Sequence, residues 1–450
     1  MAHILCITSG LTGISNASLE LCKRLQNEGN TIVAGAVRDK SNFYELNGFE
    51  FVKFPEIKVN TVPKTSPAFQ KMGKIGTLLF SILFFRKRRR DAYIAVYPDK
   101  FIEYISRHNF DAIIIDIELH EFIISAYALK QRVILLSQWF SIWRSKGLPY
   151  LLTSTIPNKE NLDAIEKEWD NLAEERRKMN WMKKWLSFGT DRRTVLKRMA
   201  RNMGFPRKFI ELDFWPGIFH YDQLPVFSMT LEGLEFPHEK RPNLFYIGPM
   251  VFEERKEQIF EKNFITLIED QKAKGQKIIV GTFSTLNSEN TAFFNKLVSI
   301  FRSQPEWSLF IGISNLDYKL RASLPQNVFV FNFLPQIKAL RYADISINHG
   351  GIHTINECIH FGVPMLVYSG GRSDQNGCAA RIQYHQVGLR GDRNTESDDQ
   401  IKKKIRKLLS DENFQNNVLK FQKEYLLQKQ KQSLTKLIDQ LELHYITETI

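Results

Sequence analysis

The sequence predicts an α/β protein made of two doubly wound, Rossmann-like domains that face each other across a cleft. Short apolar runs, rich in Val and Ile, alternate with helical patterns through most of the 450 residues. This alternation is typical of parallel strands that are covered by helices on both faces. The alternation stops near residue 241 and starts again at Lys277. The chain is therefore expected to form two domains, each long enough to bury a core of its own.

The strands are predicted from runs of four to seven nearly all-apolar residues. In the first half of the chain these runs are His3–Thr8, 31–37, 49–54, 111–117 and 132–137. In the second half they are Lys277–Thr282, 308–313, Val328–Phe331, 344–348 and 364–368. A helix is predicted over 16–28, because Leu21 and Leu25 share one face and Gly29 follows the last turn.

Breaks in this pattern set the expected domain boundaries. Residues 1–240 form the first domain, with a charged helical insertion at about 155–206. Residues 241–262 contain Pro242, Gly248 and Pro249 and have no helical period, so they are predicted as the linker. Residues 263–425 form the second domain. A last helix, within 426–450, is expected to pack back on the first domain.

The composition narrows the classes of function. The chain has 62 Lys and Arg against 49 Asp and Glu, a formal net charge of +13. No nucleic-acid-binding module is recognisable, so the charge favours a membrane surface or a phosphorylated ligand over nucleic acid. The chain start has no signal-peptide pattern and no run reaches the roughly 20 apolar residues that span a bilayer. Four scattered cysteines fit a reduced compartment and predict no metal site, so a cytoplasmic protein is expected.

The segment 344–357, DISINHGGIHTINE, carries the pattern of an anion site. A predicted strand ends at His349, two glycines follow, and a helix begins. The Gly350–Gly351 pair allows a sharp turn and a close approach of a ligand to the backbone. The helix start offers free N–H groups and the positive end of the helix dipole. His349 and Thr354 can add donors to a diphosphate, and Glu357 can accept hydrogen bonds from a ribose diol.

Neighbouring motifs extend this pattern: FLPQ at 333–336, GVP at 362–364, DQ at 374–375 and AARI at 379–382. In order and spacing, the stretch 333–391 resembles the nucleotide-sugar signature of the family 1 glycosyltransferases, the UDP-glycosyltransferase superfamily. DQNGCAARIQYH is similar to the bacterial branch that includes zeaxanthin and macrolide glycosyltransferases. The resemblance implies the GT-B fold, a nucleotide sugar as co-substrate, no cofactor and no metal.

The resemblance also implies roles for individual residues. Phe333 stands where many members place a Trp that stacks on the base. His353 stands where the family often has Asn, which alters one phosphate contact. Asp374 and Gln375 would bind sugar hydroxyls, and Thr285 would lie near the phosphates. The full set of expected donor-binding residues is Thr285, Phe333, Gln336, His349, Gly350, Gly351, His353, Thr354, Glu357, Asp374 and Gln375.

The family's usual catalytic base is missing. The acceptor loop SGLTGISNAS resembles the family's LTGH pattern, but Ile14 stands at the histidine position, within Thr12, Gly13, Ile14 and Ser15. Asp116 matches the family's partner aspartate and is favoured as a catalytic residue together with His120. Glu118 as the base, Ser15 as a relay, an acidic acceptor that needs no base, and a chain that has lost catalysis all stay open.

These patterns predict an inverting, metal-independent transferase that moves a hexose from a UDP- or TDP-sugar to a small, mostly apolar acceptor such as a natural product, a carotenoid or a lipid. An apolar run that ends in Arg86–Arg90 suggests a peripheral contact with a membrane. Three rival functions are a catalytically silent binding protein, a sugar-nucleotide epimerase and a structural protein that binds nucleic acid or membrane through charge alone.

Overall fold

The structure is a computed structural model that describes residues 1–57, 75, 82–211, 219–256, 263–283, 288–313 and 323–447. Its strands are β1 His3–Thr8, β2 Thr31–Ala36, β3 Glu50–Lys53, β4 Ala112–Asp116, β5 Val133–Ser137, β6 Ile210–Glu211, β7 His220–Tyr221, β8 Val226–Ser228, β9 Leu244–Tyr246, β10 Lys277–Thr282, β11 Trp307–Gly312, β12 Val328–Phe331, β13 Ile345–Asn348, β14 Met365–Val367 and β15 Gly388–Arg390.

Its α-helices are α1 Thr12–Asn27, α2 Ser41–Leu46, α3 Phe85–Val96, α4 Asp99–Arg107, α5 His120–Ala128, α6 Leu162–Leu186, α7 Arg192–Asn202, α8 Phe264–Ala273, α9 Ser288–Arg302, α10 Gln336–Leu340, α11 Ile352–Phe361, α12 Gln375–Tyr384, α13 Asp398–Ser410, α14 Glu412–Lys431 and α15 Leu434–Thr447. None of the helices in the described ranges is long and apolar enough to cross a membrane.

Two parallel sheets organise the chain. The first has the strand order β3-β2-β1-β4-β5-β8-β9, and the second has the order β12-β11-β10-β13-β14-β15. In both, the first strand of the domain is central and the chain winds outward in both directions, which is the doubly wound topology. The predicted fold class is therefore confirmed.

Both faces of each sheet are buried, as nearly all-apolar strands require. On β1, Leu5 and Ile7 enter one core while Ile4 and Cys6 enter another on the opposite face. The second sheet alternates in the same way, with Ile278 on one face and Ile279 on the other. Because the strands of each sheet are parallel, their carboxyl ends lie along the same edge of the sheet.

The structure differs from the sequence prediction at the start of α1, in the predicted linker, at the start of the last helix, and in the short strands β6 to β9 and β15, which were not predicted. Helix α1 begins at Thr12, because the Ser15 amide already donates to the Leu11 carbonyl, so residues 12–15 form its first turn and not a loop. The predicted linker 241–262 contains β9, which pairs with β8 of the first sheet. This strand is only three residues long, too short to show a period of its own, so the connection between the domains begins after Tyr246.

The predicted helical insertion consists of α6 and α7. The predicted last helix begins later than expected, because α14 ends at Lys431 and α15 begins at Leu434. Leu434 and Ile438 of α15 are buried in the core of the first domain, with residues of α1 and β1. The chain therefore crosses back from the second domain to the first at its end.

Candidate functional site

The His349–Gly350–Gly351 turn joins β13 to α11, and neighbouring side chains crowd the space beside both glycines. Gly350 has φ +81°, and a Cβ there would lie 2.7 Å from Cγ1 of Val367. A Cβ on Gly351 would lie 2.6 Å from Nε2 of His349. The turn thus brings the imidazole over the amino end of α11, where N–H groups and the helix dipole favour an anion.

A hydrogen bond to the last residue of β10 fixes the orientation of the His349 ring. Its Nδ1 donates to the Thr282 carbonyl oxygen at 3.2 Å, because a carbonyl can only accept. Nε2 therefore faces the α11 terminus and carries the lone pair in the neutral ring. Burial lowers the pKa of His349, so the ring is neutral until an anion beside it favours protonation. The Thr282 hydroxyl is also buried and has no hydrogen-bond partner among the described residues.

Glu357 lies one and a half turns into α11 and is held by two partners. Gln336 Nε2 donates to Glu357 Oε2 at 2.5 Å and lies 3.3 Å from Thr354 Oγ1. Arg255 Nη1 is 3.7 Å from Glu357 Oε1, and both side chains are nearly buried. The structure thus brings together three of the predicted donor-binding residues and adds a cation.

Asp374 and Gln375 lie beside the same helix end. Asp374 Oδ2 accepts from the Ile352 amide at 3.1 Å, and burial raises the pKa of Asp374. Gln375 Oε1 accepts from the Gly370 amide at 2.8 Å. Both side chains are buried in this closed arrangement, so a sugar hydroxyl would have to compete with these backbone donors for their oxygens.

Phe333 and Thr285 are two further residues that the sequence predicts as donor-binding. The Phe333 ring is 42% exposed, whereas most aromatic rings of this domain are buried, so its face is open to a planar ligand. Thr285 lies outside the described residues. Next to Gln375, a mostly polar cavity of about 560 Å³ opens between the loops after β14 and β15, and Ser154 of the first domain closes one side.

On the first domain, Asp116 holds two loops together. Its carboxylate accepts from the Ser9 amide at 3.0 Å and from the Glu118 amide at 3.1 Å. Asp116 is fully buried, and burial raises its pKa. Ile14 is also fully buried, in the core beneath α1. Neither side chain lines an open surface, so Asp116 positions the chain segments after β1 and β4.

His120 is enclosed at the start of α5. Its side chain is 1% exposed, and Nδ1 lies 2.9 Å from the Tyr221 hydroxyl. Burial lowers the pKa of His120 well below its usual value. Glu118 differs from both neighbours, because it is partly exposed and burial beside Asp116 raises its pKa to about 7. The structure therefore encloses His120 and leaves Glu118 as the partly exposed carboxyl of this segment.

The two domains meet around His353. The ring packs on α1, since a Cβ on Gly13 would lie 2.5 Å from His353 Cδ2. His353 Nε2 is 2.8 Å from Oε1 of Gln138, the residue that follows β5. Further hydrogen bonds join the two domains: the Gly377 amide donates to the Leu151 carbonyl at 3.0 Å, Asn376 donates to the Leu152 carbonyl, and Asn356 donates to the Met229 carbonyl.

Sequence reasoning missed Arg255 and Gln138. Arg255 lies in a charged stretch of the predicted linker and has no motif around it. Gln138 directly follows the expected strand at 132–137. Its position at the carboxyl end of a parallel strand is the one sequence signal that could have identified it as a site residue. The cross-domain contact of His353 has no signal in the sequence, because it depends on how the domains close.

Solved structures show the same fold over nearly the whole chain. The glycotransferase of kitacinnamycin aligns with a TM-score of 0.66 at 18% identity and covers 98% of both chains. VinC in complex with DTDP aligns with a TM-score of 0.59 at 14% identity, over 94% of this chain and 95% of that one. SpnG complexed with spinosyn aglycone gives 0.58 at 14% identity, over 95% and 97%. The architecture is the GT-B fold of glycosyltransferases.

The sequence comparisons agree with this class. Residues 308–441 match the family model of the erythromycin biosynthesis protein CIII-like C-terminal domain. Zeaxanthin glucosyltransferase of Pantoea ananas is 27% identical over 242 residues, 53% of this chain and 52% of that protein. UDP-glycosyltransferase 2 of Phaeomoniella chlamydospora is 25% identical over 223 residues, 48% of each. The resemblance to the family 1 glycosyltransferases is confirmed, and the chain spans about half the length of these curated relatives.

Proposed function

We propose that the chain is an inverting, metal-independent glycosyltransferase that transfers a hexose from a UDP- or TDP-sugar to a small, mostly apolar acceptor. One observation carries the proposal. The amino end of α11, with His349 and Thr354, lies at the carboxyl edge of the second sheet and faces the first domain through His353 and Gln138. A diphosphate bound there would present its sugar to the loops of the first domain.

The donor-binding residues have chemistry that suits a nucleoside diphosphate. The exposed Phe333 ring offers a stacking surface for the base. Glu357 offers a carboxylate to the ribose, and the α11 terminus and a protonated His349 offer donors to the phosphates. The buried Thr282 hydroxyl without a partner adds a donor at the same strand edge. These groups stabilise the leaving diphosphate through backbone dipoles and side chains, which is the basis for proposing a metal-independent reaction.

The arrangement of the domains supports inversion. The second domain would hold the diphosphate behind the sugar, and the first domain would present the acceptor from the opposite side. A single displacement then forms the new bond to C1 on the face opposite to the leaving group. The names of the relatives support the proposed substrates, since one is named for UDP and another for zeaxanthin. In VinC and SpnG, DTDP and an aglycone are bound.

Thermal stabilisation tests the donor site. UDP, TDP, GDP, UDP-glucose and TDP-glucose are added to the protein and the melting temperature is measured. A ligand that binds only the folded state at about 100 times its Kd stabilises it by about 2.7 kcal/mol. We expect a shift with uracil or thymine nucleotides that is lost in Glu357→Ala. Glu269→Ala is the control, since Glu269 is an acid of the same domain that bonds Tyr342. No shift with any nucleotide would refute the proposal.

A catalytically silent nucleotide-binding protein is the second candidate. The observation in its favour is that Ile14, Asp116 and His120 are all buried, so the expected base positions offer no group to an acceptor. The two candidates differ in turnover. Mass spectrometry with the bound nucleotide sugar and a panel of phenols, polyketides and lipid alcohols should show a glycosylated product if the first holds. Nucleotide binding with neither transfer nor hydrolysis would favour the silent protein, and an altered sugar without acceptor would favour an epimerase.

A further inference from the structure

The second half of α6 extends beyond the body of the first domain. The first half is anchored, since Ile165 and Trp169 are buried and Trp169 Nε1 donates to the Leu148 carbonyl at 2.7 Å. From residue 177 to 186, by contrast, every side chain except that of Asn180 is exposed. A helix in this situation gains nothing from packing its apolar residues against the domain.

This exposed half is amphipathic. Trp181, Trp185 and Leu186 are 66%, 62% and 73% exposed. At 100° per residue they fall on one side of the helix with two methionines, which are Met179 and Met182. Exposed large apolar side chains are common singly, but a contiguous group on one helix face marks an interaction surface.

The charge around this face is positive. Between residues 177 and 190 there are four cations and no acid: Arg177, Lys178, Lys183 and Lys184. The positive surface continues onto α3 and α7. Arg89 lies against Gly189, its Nε 3.8 Å from where a Cβ would be, and Arg198 donates to the Arg89 carbonyl at 2.6 Å.

Cations of α6, of α7 and of the segment after α7 surround Lys197. Burial lowers the pKa of Lys197, and the charges of Arg193, Arg207 and Lys184 lower it further, while Asp191 raises it. Such like-charge crowding costs free energy that a bound polyanion would recover. The surface therefore joins a row of Trp, Met and Leu side chains to a set of cations, among which Lys178 is paired with Glu174 at 2.6 Å and Arg90 lies 3.8 Å from Asp91.

We propose that this surface, formed by residues 177–186 and the Arg86–Arg90 run of α3, docks on an anionic lipid bilayer. Trp side chains suit the boundary between headgroups and acyl chains, because the ring is apolar and its N–H is polar. Lys and Arg beside them attract anionic headgroups. A second copy of the chain would bring the same positive charge against itself. A nucleic acid would neutralise the cations and leave the apolar face in water.

Vesicle sedimentation tests the proposal. The full chain is mixed with vesicles of phosphatidylcholine alone or with phosphatidylglycerol added, at low and high salt. We expect binding only to the anionic vesicles, weaker binding at high salt, and a blue shift of Trp fluorescence. Trp181→Ser with Trp185→Ser should weaken binding by about tenfold or more, because each ring removes a large apolar area from water.

The control is Leu419→Ser with Leu426→Ser on α14, two leucines that are 42% and 45% exposed on another surface. It should bind as the wild type does, and all variants should keep the wild-type melting temperature and nucleotide response. Equal binding to both kinds of vesicle, or binding that ignores the Trp changes, overturns the proposal. So does a dimer in sedimentation equilibrium that the Trp changes dissociate, or binding to duplex DNA alone.

The ring of His353 lies close to the position where the family's catalytic histidine is missing. His353 belongs to the donor domain, yet its ring lies on Gly13, next to the position where Ile14 replaces the family's histidine. Any side chain at residue 13 would collide with the ring. An imidazole is thus present close to the expected position, contributed by α11 of the other domain instead of α1.

Gln138 orients this ring. The Gln138 Oε1 atom accepts, so His353 Nε2 carries the hydrogen and Nδ1 carries the lone pair. Nδ1 has no hydrogen-bond partner among the described residues. Burial lowers the pKa of His353 to about 4, with Arg255 as a smaller cause, so the ring is neutral near pH 7. The negative charge of a donor diphosphate would raise that pKa towards the range of a useful base.

We infer that His353 is the general base of the proposed transferase and that Gln138 is its positioning residue. The inference rests on the proposed function. As the acceptor oxygen bonds to C1 of the sugar, its proton passes to Nδ1 of His353. The bond between C1 and the diphosphate oxygen breaks with its electron pair, and the nucleoside diphosphate leaves. The imidazolium then returns its proton to solvent.

Steady-state transfer tests this role, with the nucleotide sugar that stabilises the wild type and the acceptors that it glycosylates. His353→Asn should lower kcat by about 100-fold, within the usual contribution of a general base, while the nucleotide-induced thermal shift persists. His360→Asn is the control, because His360 lies on the same helix and bonds Glu253. Gln138→Ala should lower kcat more than it raises KM.

Two other outcomes would contradict the role of His353 as general base. If His353→Asn keeps the wild-type kcat while Glu118→Gln abolishes it, the base is Glu118 and the inference fails, although the proposed function stands. If the wild type binds nucleotide sugars but never turns them over, the proposed function fails and the inference fails with it.

Discussion

The carboxyl groups of Asp116 and Glu118, at and just after the end of β4, lie close in the sequence but differ in burial. Asp116 accepts two backbone N–H groups and is fully buried. Glu118, two residues later, is partly exposed, and its pKa is raised to about 7 by burial and by the nearby Asp116. Asp116 therefore shapes the loops, and Glu118 is the group of this segment whose charge changes near neutral pH.

This pKa has a consequence for stability. The folded-state pKa of Glu118 lies above the unfolded value, so the folded protein keeps the proton longer, and stability falls as pH rises from about 4.5 to about 7. Glu118→Gln has no proton to lose and should melt about 2 °C higher than the wild type at pH 8. The difference should vanish near pH 4.5. Glu160→Gln, on the surface, should show no pH-dependent difference, and a gap that is constant with pH would contradict this account.

At the scale of elements, Glu28, the residue that follows α1, binds the start of α15 and so helps to hold this helix to the first domain. Glu28 accepts from the Leu434 and Thr435 amides at 3.0 and 2.7 Å and from the Ser433 hydroxyl at 3.0 Å. These groups are the free donors at the start of α15, and a carboxylate there also suits the helix dipole. Leu434 and Ile438 then enter the core beneath α1.

Glu28→Ala should therefore loosen α15. We expect a loss of about 1 kcal/mol in the free energy of unfolding, as for other helix caps. Burial alone would raise the pKa of Glu28, but the hydrogen bonds from Thr435, Leu434 and Ser433 lower it overall. The loss should thus be full at pH 7 and disappear as pH falls through that pKa. Denaturant unfolding at both pH values measures it, with Asn27→Ala as the neighbouring control. If Glu28→Ala lost the same free energy of unfolding at both pH values, the capping role would be refuted.

At the scale of the whole molecule, the closed arrangement of the domains is stabilised by a buried ion pair. Glu235 of the first domain and Arg381 of α12 are each 1% exposed in their side chains. Arg381 Nε donates to Glu235 Oε1 at 2.6 Å. The guanidinium lies between the rings of Phe140 and Phe236, 4.8 and 4.5 Å from their centroids. Glu235 Oε2 accepts from the Ser141 amide at 2.8 Å.

Removal of one charge from this pair should be costly. Glu235→Gln leaves the Arg381 cation buried without a counter-charge, which usually costs about 3–5 kcal/mol. The domains can avoid part of this cost if they open. We expect a lower melting temperature and a larger radius of gyration by X-ray scattering. Glu239→Gln, exposed nearby, should change neither, and Arg381→Met added to Glu235→Gln should recover part of the stability. An unchanged Glu235→Gln protein would show that the pair does not stabilise closure.

The sequence by itself determined what is local along the chain. Apolar runs and their helices predicted both sheets, and the His-Gly-Gly segment predicted the strand, the turn and the helix start on which the proposed anion site rests, because these three lie within a few residues. Short elements such as β9 and β15 were missed, since three residues show no period. The first turn of α1 was assigned to a loop, because the residues 12–15 carry no capping signal.

Only the tertiary structure decided which side chains meet across the cleft. His353 and Gln138 are 215 residues apart in sequence, and Arg381 and Glu235 are 146 apart. It also decided that His120 is enclosed and Glu118 is not, although they lie in one short segment. The reason is that burial and the approach of distant residues depend on how two finished domains pack, and no pattern of a few neighbouring residues encodes that packing.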